Sequence, residues 1–183
     1  LNNHYSKKYF NNSYIHLGLF IKNKLKGVLQ YGHLMNPKSA SSIVKNSNSY
    51  NCLELNRMHL KDNIGEYPES RAISYSIKYI KKKFPKIKWV QSFADERCGG
   101  FGIVYQACSF NYYGEHKSDF YKYENKYYHK TYITNTKGKS ASKSIKAKKI
   151  RNLISKQNII TIKQFRYIKF LDQREKKNCL LIE

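Results

Sequence analysis

The stretch from Pro68 to Asp95 limits the possible folds more than any other. Ile73, Ile77, Ile80 and Phe84 recur at helical spacing and form one apolar stripe, with Lys78 and Lys81 to Lys83 on the wet side. Pro85 ends that helix, because it cannot continue the hydrogen-bond ladder. The run "IKWVQSFAD" follows and is apolar enough for a central strand. A helix that feeds directly into a central strand is one half of a crossover connection. Around it the chain writes other elements. "YIHLGLFIKNKLKGVLQYGHL" reads as a hairpin turning at Lys22 to Lys24, and "NSYNCLELNRMHL" as a third strand with Leu53, Leu55 and Met58 near its core. "GFGIVYQACSF" reads as a short helix, and "DFYKYENKYYHKTYI" as a hairpin turning near Glu124 and Asn125. A basic helix from about Ser142 to Gln157 and a final strand, "FRYIKFL", complete the order. The result is β-β-β-α-β-α-β-β, an α/β fold with a mixed central sheet flanked by helices.

The 183 residues suffice for one domain with a real core, and the expectation is a single domain over 1–183, with a basic C-terminal extension from about 136. Hydrophobic residues make up 40% of the chain, which excludes a disordered polymer. Lys and Arg number 35 against 12 Asp and Glu, a formal charge of +23 that calls for an acidic polymer as partner. An AT-rich genome would favour Lys, Asn, Ile and Tyr and accounts for many of the lysines. It does not account for the missing acids: from Asn125 to Leu171 there is no Asp or Glu, while Lys and Arg number 13. Lys146, Lys148, Lys149 and Arg151 are the expected phosphate contacts, and the 17 tyrosines offer faces for unpaired bases. Gly138 to Lys149, rich in Ser and Lys, is the best candidate for a mobile segment.

Cys52, Cys98, Cys108 and Cys179 have no paired CxxC spacing, so no metal site is expected, and scattered thiols fit a reducing cytosol. No apolar run approaches the length of a membrane span. The expected location is the cytoplasm.

The chemistry concentrates in "SFADERCGGFGIVYQACSFNYYG", residues 92 to 114. A strand ends in Asp95, where open α/β sheets put their ligands. Gly99, Gly100 and Gly102 then crowd one turn before a short helix carrying Tyr105. Glycines so dense imply that something approaches the backbone closely. The N–H groups opening the helix would make a cradle for an oxyanion or a phosphate. The plainer reading is a tight strand-to-helix turn, which needs fewer glycines.

The element order, with "VYQACSFNYYG" as its last helix and aromatic step, resembles the GNAT acyltransferase fold. A tighter resemblance rests on five motifs in order: "HYS", "GVLQYG", "ELNR", "ESR" and "ADERCGGFGIVYQA". Together, from His4 to about His129, they are similar to the Mom family of phage DNA-modification proteins. The resemblance implies a transferase that converts adenine in double-stranded DNA to N6-carbamoylmethyladenine and so shields phage or mobile-element DNA from host restriction. It would act inside the bacterial host. The family's functional positions fall on Tyr5, Arg57, Ser70, Asp95 and Tyr105.

Adenine N6 is a poor nucleophile, since its lone pair is delocalised into the ring. Catalysis must remove a proton as the bond forms and hold the base in line. Asp95 is expected to accept that proton or hold the amine; its plainer role is to start the turn before the glycines. Tyr105 is expected to protonate the leaving group, and is otherwise one more surface tyrosine. Arg57 would clamp a phosphate or polarise a carbonyl, or else pair with Asp95 or Glu54. Ser70, near the start of the helix after Pro68, reads equally as a ligand or a cap. Tyr5 would stack on a flipped base, although it stands near a chain terminus.

The donor expected from the fold is acetyl-coenzyme A, but the loop before the Pro68 helix argues against it. "GEYPESRA" lacks the Arg/Gln-x-x-Gly-x-Gly/Ala pattern of coenzyme A enzymes and puts Glu66 and Glu69 where phosphates would lie. The implied product group, CH2–CO–NH2, contains a nitrogen that an acetyl group cannot supply and a glycyl group can. Glycyl-tRNA is therefore the favoured donor, which would make tRNA a second partner beside double-stranded DNA. Three other readings stay open: an ordinary acetyl-coenzyme A-dependent N-acetyltransferase, a noncatalytic basic DNA-binding module, and a ribosome- or tRNA-associated acylating protein with RNA as its target.

Overall fold

The structure is a computed structural model that describes residues 12–124, 126–130, 151–154 and 157–182. Strands β1 (Ser13–Ile21) and β2 (Lys24–Gly32) are joined by Lys22 and Asn23, both in the left-handed region, with φ of 46° and 59°. Two left-handed residues in succession match the twist of an antiparallel pair, so the hairpin closes where the sequence places it. A short helix, α1 (Ala40–Ile43), follows a single 3-10 turn at Pro37–Ser39 whose first amide is capped by Asn36. This pair is absent from the sequence reading, because four residues carry no periodicity.

Strand β3 (Cys52–Leu60), helix α2 (Pro68–Lys83) and strand β4 (Trp89–Asp95) form the expected crossover, and β3 and β4 are parallel. Helix α3 (Ile103–Ala107), strands β5 (Asn111–Tyr123) and β6 (Lys126–His129), and strand β7 (Ile159–Phe170) complete the chain order. The seven strands lie in the order β1-β2-β3-β4-β7-β5-β6. The last hairpin turns at Glu124, which is left-handed at φ 47°. The final strand is longer at its N-terminal end than "FRYIKFL". Of the basic helix expected over 142–157, residues 151–154 and 157 are described; 151–154 are helical and Gln157 is not.

The chain divides into two compact units. One comprises Leu1–Ala94, Phe101–Gly114 and Phe165–Glu183; the other comprises Asp95–Gly100 and Glu115–Gln164. In the first unit, Ile73, Ile77 and Ile80 of α2 pack with Leu53, Leu55 and Val90 of β3 and β4. Each such side chain contributes about 1.5–3 kcal/mol when fully buried. The helix ends as expected: Phe84 donates its N–H to the Ile80 carbonyl, and Pro85 follows. A second apolar cluster joins Cys52 and Trp89 to Leu34, Ile43, Ile168 and Phe170. The Trp89 indole donates to Ser47 Oγ at 2.8 Å, which satisfies its one polar atom. In the other unit, Phe120, Ile154 and Ile162 are buried.

Candidate active site

Strands β3 and β4 pair only from Cys52–Trp89 to Glu54–Gln91, although β3 runs on to Leu60 and β4 to Asp95. The parallel pair therefore opens where ligands of such sheets are held. The β2–β3 ladder slips at the same level. Gln30 faces Arg57 and Tyr31 faces Leu55, so Asn56 is an extra residue on β3. Such a bulge bends a strand and re-aims the next side chain. Asn56 is fixed by accepting from Ser13 Oγ at 2.9 Å, and the Arg57 guanidinium donates to the Asn56 carbonyl at 2.9 Å.

Asp95 and Arg97 form an ion pair in the second unit. The Asp95 carboxylate accepts from the Arg97 backbone N–H at 3.0 Å, from Arg97 Nε at 2.8 Å and from Arg97 Nη2 at 2.5 Å. Asp95 thus caps the 3-10 turn Glu96–Cys98 and binds its guanidinium in a fork. Burial raises the carboxyl pKa, but the Arg97 hydrogen bonds and charge outweigh it and leave it below the usual aspartate value. The Arg97 guanidinium also lies over the rings of Phe120, at 4.5 Å, and Tyr127, at 5.3 Å. A depressed carboxylate paired this way is suited to holding an N–H group, and less suited to taking a proton from one. The sequence reading weighed Arg57 as a partner of Asp95 or Glu54; Arg97, two residues away, supplies the three hydrogen bonds to Asp95 given above.

Gly99 ends the Glu96–Cys98 turn in the left-handed region, at φ 68°, and Gly102 opens α3 there too, at φ 69°. A β-carbon on Gly102 would lie 2.2 Å from the Tyr167 ring, so the close approach read from the glycines is made at this position by a side chain of β7. Among the described residues nothing lies within 4 Å of where a β-carbon would stand on Gly99 or Gly100. Tyr105 projects from α3 with its ring against Tyr167, at 5.5 Å, and Phe110, at 5.9 Å. Its hydroxyl donates to the Phe93 carbonyl of β4 over a long 3.5 Å.

Ser70 lies in the first turn of α2 but does not cap it. Tyr67 is the N-cap, left-handed at φ 48°, and Ser70 Oγ donates to the Tyr67 carbonyl at 3.1 Å. The Ser70 carbonyl accepts from Cys108 Sγ at 3.1 Å, which ties the start of α2 to the end of α3. This turn fits a coenzyme A pyrophosphate poorly. Pro68 brings no N–H, the Arg71 N–H is spent on the Tyr67 carbonyl, and Glu69 already occupies the first turn with negative charge. Tyr5, Lys146, Lys148 and Lys149 lie outside the described residues, and Arg151 lies in the helical turn 151–154. Among the described residues no cluster of three or more His, Cys, Asp or Glu could hold a metal ion. No helix among them is long and apolar enough to cross a membrane.

A model of the Mom protein family matches residues 1–182. The chain is 44% identical over 175 residues to methylcarbamoylase mom of Escherichia phage Mu, covering 95% of this chain and 70% of that protein. The chain belongs to the Mom protein family. Its sheet is also similar to a solved acetyltransferase of the GNAT family from Streptococcus pneumoniae. That match has a TM-score of 0.50 at 12% identity, over 87% of this chain and 66% of that one. The chain thus spans slightly less than two thirds of that structure's length, and the likeness is one of fold.

The chain holds further polar residues in its central strands that the sequence reading passed over. Glu54 is buried and accepts from Gln91 Nε2 at 2.7 Å, from the Met35 N–H at 3.2 Å and from Asn56 Nδ2 at 3.3 Å. Burial raises its carboxyl pKa, against these hydrogen bonds and the charge of Arg166. Arg166 lies over the Phe93 ring at 5.4 Å, and Arg166 Nε, Gln91 Oε1 and Ser92 Oγ are buried with no hydrogen-bond partner among the described residues. Buried polar atoms left unmet cost about 1–3 kcal/mol each, which a water or a bound ligand would relieve. "ELNR" pointed to this level of β3, but Gln91 and Arg166 join it only through the strand order.

Proposed function

We propose that this chain is a transferase that modifies adenine N6 in double-stranded DNA to carbamoylmethyladenine, as a defence of phage or mobile-element DNA against restriction. The observation that carries this reading is the 44% identity to a protein named methylcarbamoylase over nearly the whole chain. The +23 charge supports a DNA partner. Asp95 holds or deprotonates the exocyclic amine, Tyr105 protonates the leaving group, and Arg57 at the β3 bulge polarises the acyl carbonyl.

The donor in this reading is glycyl-tRNA. N6 attacks the glycyl ester carbonyl, the ester C–O bond breaks, and Tyr105 returns a proton to the tRNA 3′ oxygen. The glycyl amine then attacks C6 through a five-membered ring and the original C6–N6 bond breaks. C6 now carries NH–CH2–CO–NH2, and no atom is gained or lost in that exchange. The acidic, proline-containing start of α2 supports this donor over acetyl-coenzyme A.

Mass spectrometry of nucleosides from DNA of cells expressing the protein tests the modification. An adenine species heavier by one carbamoylmethyl group is expected; unmodified DNA would leave a binding module. Reconstitution with one isotope-labelled donor at a time tests the donor. Glycyl-tRNA should label the DNA, and prior RNase treatment should prevent it. Transfer from acetyl-coenzyme A without RNA would restore the ordinary acetyltransferase. Neutral replacement of Lys146, Lys148, Lys149 and Arg151 should weaken DNA binding for all sequences. It should also flatten the salt dependence, by up to about 0.9 in slope per lost phosphate contact. An unchanged slope would remove this segment from the interface.

A further inference from the structure

A shallow, open groove of about 600 Å³ lies along α3, the start of β5 and the end of β7, all within the first unit. Phe101 and Tyr112 border it with rings 69% and 41% exposed, far more than packing residues show. Both rings contact Phe165, at 5.4 Å and 6.4 Å, and Tyr112 also contacts Tyr167, at 5.7 Å. Two exposed aromatic faces thus stand on a buried aromatic floor. The wall is held in place: Tyr167 donates its hydroxyl to the Phe101 carbonyl, and Gly102 presses its bare backbone on the Tyr167 ring. Gln106 Nε2 donates to the same carbonyl and to the Tyr167 oxygen, each at 3.1 Å. These bonds orient the amide and leave its carbonyl oxygen as an acceptor for the groove. At one end, beyond Phe110, the Lys169 ammonium lies 5.9 Å from that ring, held by the carbonyls of Cys108 at 2.6 Å and Ser109 at 3.3 Å.

Rigid exposed aromatic faces, an oriented amide acceptor and a cation are the parts of a base-stacking site. A chain of charge +23 has nucleic acid as its natural partner. We infer that this groove binds one unpaired adenine nucleotide of the DNA substrate, stacked against Phe101 and Tyr112, with its exocyclic amine donating to Gln106. This rests on the reading that the chain acts on DNA. It assigns the groove to recognition of an unstacked base, apart from the Asp95 and Tyr105 chemistry.

The test is fluorescence anisotropy with labelled single-stranded oligothymidylate carrying no adenine, one adenine, or one purine that lacks the 6-amino group. The wild-type chain should bind the single-adenine strand about tenfold more tightly than the all-thymine strand. Phe101→Ala with Tyr112→Ala should erase that preference and leave the salt dependence unchanged. Gln106→Leu should keep a preference for any purine but lose the one for the amino group. The idea is overturned if the wild type has no adenine preference, or if the double variant keeps it. Nucleoside mass spectrometry on the wild type is independent of this groove, so failure here would leave the proposed reaction standing.

Discussion

At Gly102 a β-carbon would meet the Tyr167 ring at 2.2 Å, whereas at Gly99 and Gly100 it would meet no described atom within 4 Å. The two regions stand a few residues apart in one glycine-rich string. At Gly102 the bare backbone is needed for packing: α3 can start over β7 only if no side chain intervenes. At Gly99 the need is conformational, since φ of 68° ends the turn that Asp95 begins. Gly100 has neither constraint; it is not left-handed and is not crowded. Density of glycine therefore signals close approach, but one glycine can serve a protein ring while its neighbour leaves space for a ligand.

The contrast can be broken most directly at Gly102. Gly102→Ala adds a left-handed alanine and an overpacked contact, each costing about 1–3 kcal/mol. Denaturant unfolding should show a loss of about 3 kcal/mol. A loss below about 1 kcal/mol would mean that Tyr167 moves aside freely, and the packing role would fall.

Asp95→Asn addresses the other region. Asparagine caps a turn nearly as well as aspartate, so the Glu96–Cys98 turn should persist while the charge facing Arg97 is lost. Modification should drop at least about 100-fold, as for loss of a group that handles a proton or holds the reacting amine. Unchanged turnover would confine Asp95 to turn building.

Gly100→Ala separates space from flexibility. Among the described residues it meets no neighbour, and its backbone is ordinary, so stability should stay level or rise by about 0.4–1 kcal/mol. Turnover should nevertheless fall about tenfold if the donor or the base passes over this backbone. Full activity would make Gly100 a spacer.

How far the sequence foretold these differences depends on range. The α2 stripe, the Lys22–Asn23 turn and the crossover into β4 were readable, since each is decided within a few residues by periodicity or turn chemistry. Asp95, Tyr105 and the glycines were singled out for the same local reason. Tyr167 against Gly102 was not readable, because the partners are far apart in sequence and meet only once β7 joins the sheet. Gln91 and Arg166 were missed likewise: each reads as an ordinary strand residue until the strand order sets it beside Glu54. Arg97 was near enough to read, but the charged residue weighed for Asp95 was Arg57.

The smallest expected effect concerns the charge that fixes the open region. The folded-state pKa of Asp95 lies below its reference value of 3.8, with burial opposed and outweighed by Arg97. A depressed carboxyl contributes stability that is complete above the unfolded pKa and is lost as pH falls through the folded one. The pair is partly exposed to solvent, which screens it, so the gap between wild type and Asp95→Asn should be about 1 kcal/mol. Unfolding at pH 7 and pH 5 should give the same gap, which should narrow only below pH 3.8. A gap that instead widens as pH falls from 7 to 5 would mean that the Asp95 pKa is raised, because the folded form then takes up the proton first. Asp95 would then be fit to take the N6 proton itself, and the open glycines would border a base rather than a fixed anion.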